Sequence, residues 1–232
     1  KIEGVDYLHQ CFHEVIPDRI EAGTYIIIGA LCGKNIKVDN IIPEHIDSLL
    51  SKLEEIGTDV EVGTDYVLIS KADHYKPTNI KTLVYPGFPT DLQQPFSVLL
   101  TQCEGKSKVT ETIFENRFMH IPYLKDLGAD VTVKNQTATI IGPSKLKGTS
   151  VVATDLRAGA SMVAAGLLAE GKTTITNILK HMLEDLGHKV GLIGTIQNEI
   201  GNMSIPAKHT TPDPGELHAL FARMLKAGCE YV

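Results

Sequence analysis

One pattern is written three times along this chain, with its aspartates 73 residues apart (Asp18 to Asp91) and then 64 apart (Asp91 to Asp155), and it restricts the fold more than any other feature. Pro17-Asp18-Arg19-Ile20 leads to Gly33-Lys34, Thr90-Asp91-Leu92 to Gly105-Lys106, and Thr154-Asp155-Leu156-Arg157 to Gly171-Lys172. Aspartate to glycine spans 15, 14 and 16 residues. Each aspartate stands where an N-cap belongs, a mostly apolar helical stretch follows, and glycine stops it. After each Gly-Lys the alternation predicts a strand, over 35–39, 109–112 and 173–176. A second helix then closes on Gly57, Gly128 and Gly187. Strand pairs over 59–62 with 66–70, and 130–133 with 137–141, complete the first two copies around turn-forming residues such as Asn135.

The unit is therefore β-α-β-α-β-β, and the fold class α/β. Units of this kind bury both faces only by packing around a shared centre, with helices inside and sheets outside. From first glycine to second, the copies run 24 residues (Gly33 to Gly57), 23 (Gly105 to Gly128) and 16 (Gly171 to Gly187), so the third is truncated.

At 232 residues, 43% of them hydrophobic, the chain can bury a core. A net charge of −6 without a run of Lys or Arg argues against nucleic-acid and membrane partners. The four cysteines, Cys11, Cys32, Cys103 and Cys229, form no CxxC pair, which points to a reducing cytoplasm and away from a zinc site. Apolar runs such as 26–31 fall far short of the ~20 residues of a membrane helix. His9 and His13 stand four apart without a third ligand, so no metal is expected. No signal peptide opens the chain, and its start at Lys1 suggests a fragment.

Four strings carry a specific resemblance: Ile16-Pro17-Asp18-Arg19-Ile20-Glu21-Ala22-Gly23-Thr24, Tyr85-Pro86-Gly87-Phe88-Pro89-Thr90-Asp91-Leu92-Gln93, Thr110-Glu111-Thr112-Ile113-Phe114-Glu115-Asn116-Arg117-Phe118 and Ala153-Thr154-Asp155-Leu156-Arg157-Ala158-Gly159-Ala160. In this order they resemble the enolpyruvyl transferase family, and its UDP-N-acetylglucosamine branch more than its shikimate branch. The resemblance implies buried helices with outer sheets, and a cytoplasmic transferase of peptidoglycan precursor synthesis. Its substrates would be phosphoenolpyruvate and UDP-N-acetylglucosamine, with no cofactor. It gives Asp91 the place of the proposed base at the sugar 3-hydroxyl. Ile113 takes that of a backbone contact to the nucleotide sugar, and Arg117 and Arg157 supply positive charge to the cleft. Simpler roles compete. Asp91 could merely cap its helix, Ile113 is an apolar strand residue, and Arg117 and Arg157 could pair with Glu115 and Asp155 at the surface.

The resemblance also implies losses. A His-x-x-Arg-Gly-Tyr-Glu segment is missing between Ile178 and Leu179, and the family's reactive cysteine sits on a loop of another domain. Cys103 reads as a buried thiol inside the helix that ends at Gly105. Turnover is therefore not expected, and a non-catalytic nucleotide-sugar-binding or scaffold role competes with the partial enzyme.

From Gly171 the resemblance changes. Gly171-Lys172-Thr173-Thr174, Gly187-His188-Lys189-Val190-Gly191-Leu192-Ile193-Gly194-Thr195 and His209-Thr210-Thr211-Pro212-Asp213-Pro214 resemble a Mur ligase of the tripeptide-synthetase type. This implies a transferase-like domain over 1–178 and a ligase-derived extension over 179–232, joined as a chimera within 171–178. In a working ligase, Lys172, Thr173 and Thr174 would hold ATP with magnesium, and Thr210 and Thr211 the UDP-muramoyl substrate. Gly166 to Thr173 fits G-x-x-x-x-G-K-[ST], but 160–170 reads as helix, against a phosphate loop. A helix is expected over 179–187, a strand over 189–195, and weak order beyond Gln197.

Overall fold

The computed structural model describes residues 3–151, 156–171, 184, 186–193, 197–200, 203–206 and 214–231. Its elements alternate as the repeat requires. Helix α1 (Arg19–Cys32) leads into β1 (Ile36–Asp39), a 3-10 turn (Pro43–Ile46), α2 (Asp47–Glu55) and the hairpin β2 (Val60–Val62) and β3 (Tyr66–Ile69). The second unit is complete: β4 (Asn79–Lys81), α3 (Thr90–Leu100), β5 (Gly105–Thr110), α4 (Ile121–Asp126), β6 (Asp130–Lys134) and β7 (Thr137–Gly142). The third contributes α5 (Leu156–Leu168).

The three helices α1, α3 and α5 pack against one another. Around them stand a sheet ordered β1-β3-β2 and another ordered β4-β5-β7-β6. In these two sheets β4 and β5 run parallel, as the ends of a β-α-β crossover must, and the other strand pairs are antiparallel. The centre explains the composition of α3. From Leu92 to Leu100 every residue is buried, the polar Gln93, Gln94 and Ser97 included, so the helix is enclosed all round instead of along one stripe. Phe96, Leu92 and Leu99 are among its fully buried side chains, each worth roughly 1.5–3 kcal/mol of transfer free energy. Gly23 permits the α1–α3 approach, since a Cβ there would meet Leu92 Cδ1 at 2.5 Å. One side of α2 is apolar and buried, through Leu49, Leu50 and Leu53, with Ile46 of the preceding turn beside them.

Several expectations change. Asp18 does cap α1, its carboxylate accepting from the Ile20 and Glu21 amides at 2.7 and 3.4 Å. Asp91 does not cap α3; Pro89 holds that position, and Asp91 lies inside the first turn. Cys103 lies beyond the helix, which ends at Leu100, in a bridge with Tyr75. It is fully buried all the same, and burial pushes its thiol up to about 12. Beyond Gln197 regular structure continues. Strands β8 (Gly191–Ile193), β9 (Gln197–Ile200) and β10 (Met203–Pro206) form an antiparallel sheet in the order β10-β9-β8, followed by α6 (Pro214–Lys226). These strands pair with each other, so they need no parent sheet. Strand 173–176 and most of helix 179–187 lie outside the described residues.

Candidate active site

Asp91 projects from the first turn of α3, where Pro95 has no N–H to give its carbonyl. Its carboxylate does not turn back to the helix. Arg117 Nη2 donates to Asp91 Oδ1. Arg157 Nη2 donates to Asp91 Oδ2 at 3.4 Å. The three side chains keep 24–34% of their surface exposed, so this cluster opens to solvent. The pairing corrects the expected Arg117–Glu115 contact, because Arg117 reaches across 26 residues of sequence to another element. Asp155 lies outside the described residues.

Arg117 is held from several sides. Its guanidinium stacks over the Phe114 ring at 5.0 Å, and its carbonyl accepts from Gln94 Nε2 at 3.3 Å. Its Nε is buried without a hydrogen-bond partner. Behind it, His120 is fully buried with neither ring nitrogen in hydrogen-bonding geometry. Burial lowers the His120 pKa to about 3; the nearby Arg117 carbonyl opposes this, and loses.

The 110–118 segment owes its shape to Glu111, a buried carboxylate that the resemblance did not single out. Glu111 Oε1 accepts from Thr82 Oγ1 at 2.8 Å, the Ile113 amide at 2.8 Å and the Phe114 amide at 3.2 Å. Its Oε2 accepts from Thr90 Oγ1 at 2.8 Å. Four donors in fixed positions offset the desolvation of a buried carboxylate. The same bonds tie β5's end, the loop beyond it and the first residue of α3 into one piece. The signal was the strand's alternation, which puts Glu111 on the same face as the buried Ser107 and Val109.

Ile113 lies on that loop and is 39% exposed. Asp91, Arg117 and Arg157 thus converge, and Ile113 is attached through Glu111. Lys172, Thr173, Thr174, Thr210 and Thr211 fall outside the described residues. Gly166, the first glycine of the G-x-x-x-x-G-K-[ST] pattern, sits within α5, where its backbone continues a helix.

Comparisons with known proteins identify the family. The EPSP synthase (3-phosphoshikimate 1-carboxyvinyltransferase) family matches residues 1–182, and the Mur ligase middle domain matches 169–232. A UDP-N-acetylglucosamine 1-carboxyvinyltransferase 2 of Listeria monocytogenes is 49% identical over 178 residues, covering 77% of this chain and 42% of the relative. The Bacillus subtilis protein of the same name is 50% identical over 197 residues, covering 81% and 46%. The chain therefore spans less than half the length of these relatives. Among solved structures, the enolpyruvyl transferase NikO from Streptomyces tendae aligns with a TM-score of 0.64 at 28% identity, over 68% of this chain and 38% of that one. An EPSP synthase from Acinetobacter baumannii, 19% identical with a TM-score of 0.52 over 83% of this chain and 46% of its own, shares the fold. With the family matched across residues 1–182 and the same architecture in its solved members, this chain belongs to the EPSP synthase (3-phosphoshikimate 1-carboxyvinyltransferase) family.

Proposed function

We propose that residues 1–178 carry one wall of a UDP-N-acetylglucosamine enolpyruvyl transfer site, and that this chain binds the nucleotide sugar without turning it over. The observation that carries the reading is the Asp91 carboxylate, freed from capping and held between Arg117 and Arg157. The names of the relatives supply the substrate.

In enolpyruvyl transfer the sugar 3-hydroxyl attacks C2 of phosphoenolpyruvate, and phosphate later leaves. A base must take the hydroxyl proton, and cations must face the phosphate and carboxylate. Asp91 occupies the place of that base and, in this chain, is the hydroxyl contact. Arg157, on the second oxygen of Asp91, supplies positive charge for an anionic ligand. Arg117, stacked on Phe114, holds the other oxygen in place. The Ile113 amide is committed to Glu111, so its carbonyl is the backbone atom it offers the sugar. Residues 179–232 act as an extension and not as a ligase, and the site lies in the cytoplasm; no helix among the described residues is long and apolar enough to cross a membrane.

Isothermal titration of the purified chain with UDP-N-acetylglucosamine tests this. Saturable binding that weakens in Asp91→Asn, with no phosphate release when phosphoenolpyruvate is added, is the expected result. No binding by the folded chain, or binding indifferent to Asp91, overturns it. Magnesium-dependent ATP binding would instead assign the C-terminal segment a ligase role.

A further inference from the structure

The start of α3 holds the 110–118 segment at three places. Thr90, the first residue of the helix, donates its hydroxyl to Glu111, which fixes the Ile113 and Phe114 amides. Asp91 takes the Arg117 guanidinium. Gln94, three residues further on, donates Nε2 to the Arg117 carbonyl at 3.3 Å. Residues three apart on a helix lie on one face, so Asp91 and Gln94 reach Arg117 from the same side. One holds the tip of its side chain and the other the backbone from which that side chain rises.

Two features of the site give the Gln94 bond weight. Gln94 is 1% exposed, and its Oε1 is buried without a partner, so the bond from Nε2 is what fixes the amide. It also sets the amide's orientation, because a flipped group would turn Oε1 toward the carbonyl oxygen, acceptor against acceptor. Arg117, for its part, has a buried Nε without a partner. Its guanidinium is held at the tip alone, by Asp91 and by the stack over Phe114, whose own ring is 49% exposed. Where the guanidinium arrives therefore depends on where its backbone is kept.

We propose that Gln94 is a positioning residue of the nucleotide-sugar site: it ties the Arg117 backbone to the helix that carries Asp91, and so keeps the guanidinium on the Asp91 carboxylate. Gln94 touches no substrate and acts through Arg117. Its effect on ligand binding rests on the function proposed above, whereas its hold on Arg117 does not.

Arginine-selective labelling of the full chain tests this. Gln94→Met keeps the length of the side chain and removes the donor. The variant and the unaltered chain are treated with phenylglyoxal under native conditions, and peptide mass spectrometry follows each arginine separately. Arg117 is expected to label about fivefold faster in the variant, the factor that one neutral hydrogen bond supplies. Arg157, and Arg19 stacked on Tyr85 at 5.2 Å, should keep their rates. Lost overall stability would raise all three together, so a change confined to Arg117 reports positioning. An unchanged Arg117 rate, or a rise shared by all three, overturns the proposal. Should Gln94→Met fail to fold, the unaltered chain decides: the Gln94 side-chain amide protons, followed by NMR, should exchange at least about tenfold more slowly than a free glutamine amide. Exchange at the free rate overturns the proposal. Titration with UDP-N-acetylglucosamine completes the test, and affinity should fall in the folded variant by about the same factor as the labelling rises. Unchanged affinity would overturn the role in binding. An unaltered chain that binds no sugar would overturn the proposed function, while the labelling still judges Gln94.

Discussion

The Asp91 carboxylate and the Arg117 guanidinium meet from the first turn of α3 and the loop beyond β5, and this contact decides between two roles for the aspartate. A capping aspartate spends its oxygens on helix amides, as Asp18 does. Asp91 spends both on arginines.

Asp91→Asn should therefore leave α3 intact while weakening UDP-N-acetylglucosamine binding at least tenfold, the scale of losing one hydrogen bond to a charged group at about 1.5–3 kcal/mol. Circular dichroism and titration calorimetry on the same sample check both halves. Unchanged affinity would remove Asp91 from the site.

Glu111 should act on stability first. Glu111→Gln leaves one acceptor oxygen for four donors and turns an amide NH₂ toward a hydroxyl or backbone N–H. The cost should be about 2–3 kcal/mol of stability. It is read as a lower urea midpoint at unchanged slope. Because Thr90 precedes Asp91, nucleotide-sugar affinity should fall as well.

Much of this was legible because the repeat states its own boundaries. Gly57, Gly128, Gly171 and Gly187 all adopt positive φ, where a residue with a side chain is strained, so glycines marked the ends of the helical stretches. What misled was a position read by its type. Asp18 and Asp91 align, but Pro89, with extended backbone, moves the start of α3 by two residues and turns Asp91 from cap to cluster. The Arg117 pairing was equally invisible, since a contact across 26 residues follows from packing and not from spacing. Cys103 was assigned to the right environment by the wrong element: the chain leaves the helix at Leu100, yet the bridge to Tyr75 keeps the sulfur inside.

That burial has a chemical consequence. With its thiol pushed up to about 12, Cys103 has almost no thiolate at neutral pH and no access to reagent. Treatment of the native chain with a maleimide should leave Cys103 unmodified, and all four cysteines should label after denaturation. Peptide mass spectrometry assigns the sites, and rapid native labelling of Cys103 would contradict its placement.

His120 makes stability depend on pH with a definite sign. Burial lowers its folded pKa to about 3, while the unfolded side chain titrates near the ordinary histidine value of 6.5. Between these values the unfolded chain binds a proton that the folded chain refuses, so stability falls as pH drops from 6.5 toward 3. The slope contributed is about 1 kcal/mol per pH unit, bounded by the ~1.4 kcal/mol that one proton supplies. Carboxylates elsewhere titrate in the same range, so the test is a difference. Urea unfolding of the wild-type chain and His120→Leu is compared at pH 7, 6, 5 and 4. Leucine loses no hydrogen bond there, because neither His120 ring nitrogen has a partner. The two should lie close together at pH 7, with the variant gaining relative stability at each step down. Parallel curves would mean that His120 accepts its proton inside the fold, and that the pocket behind Arg117 is open to water.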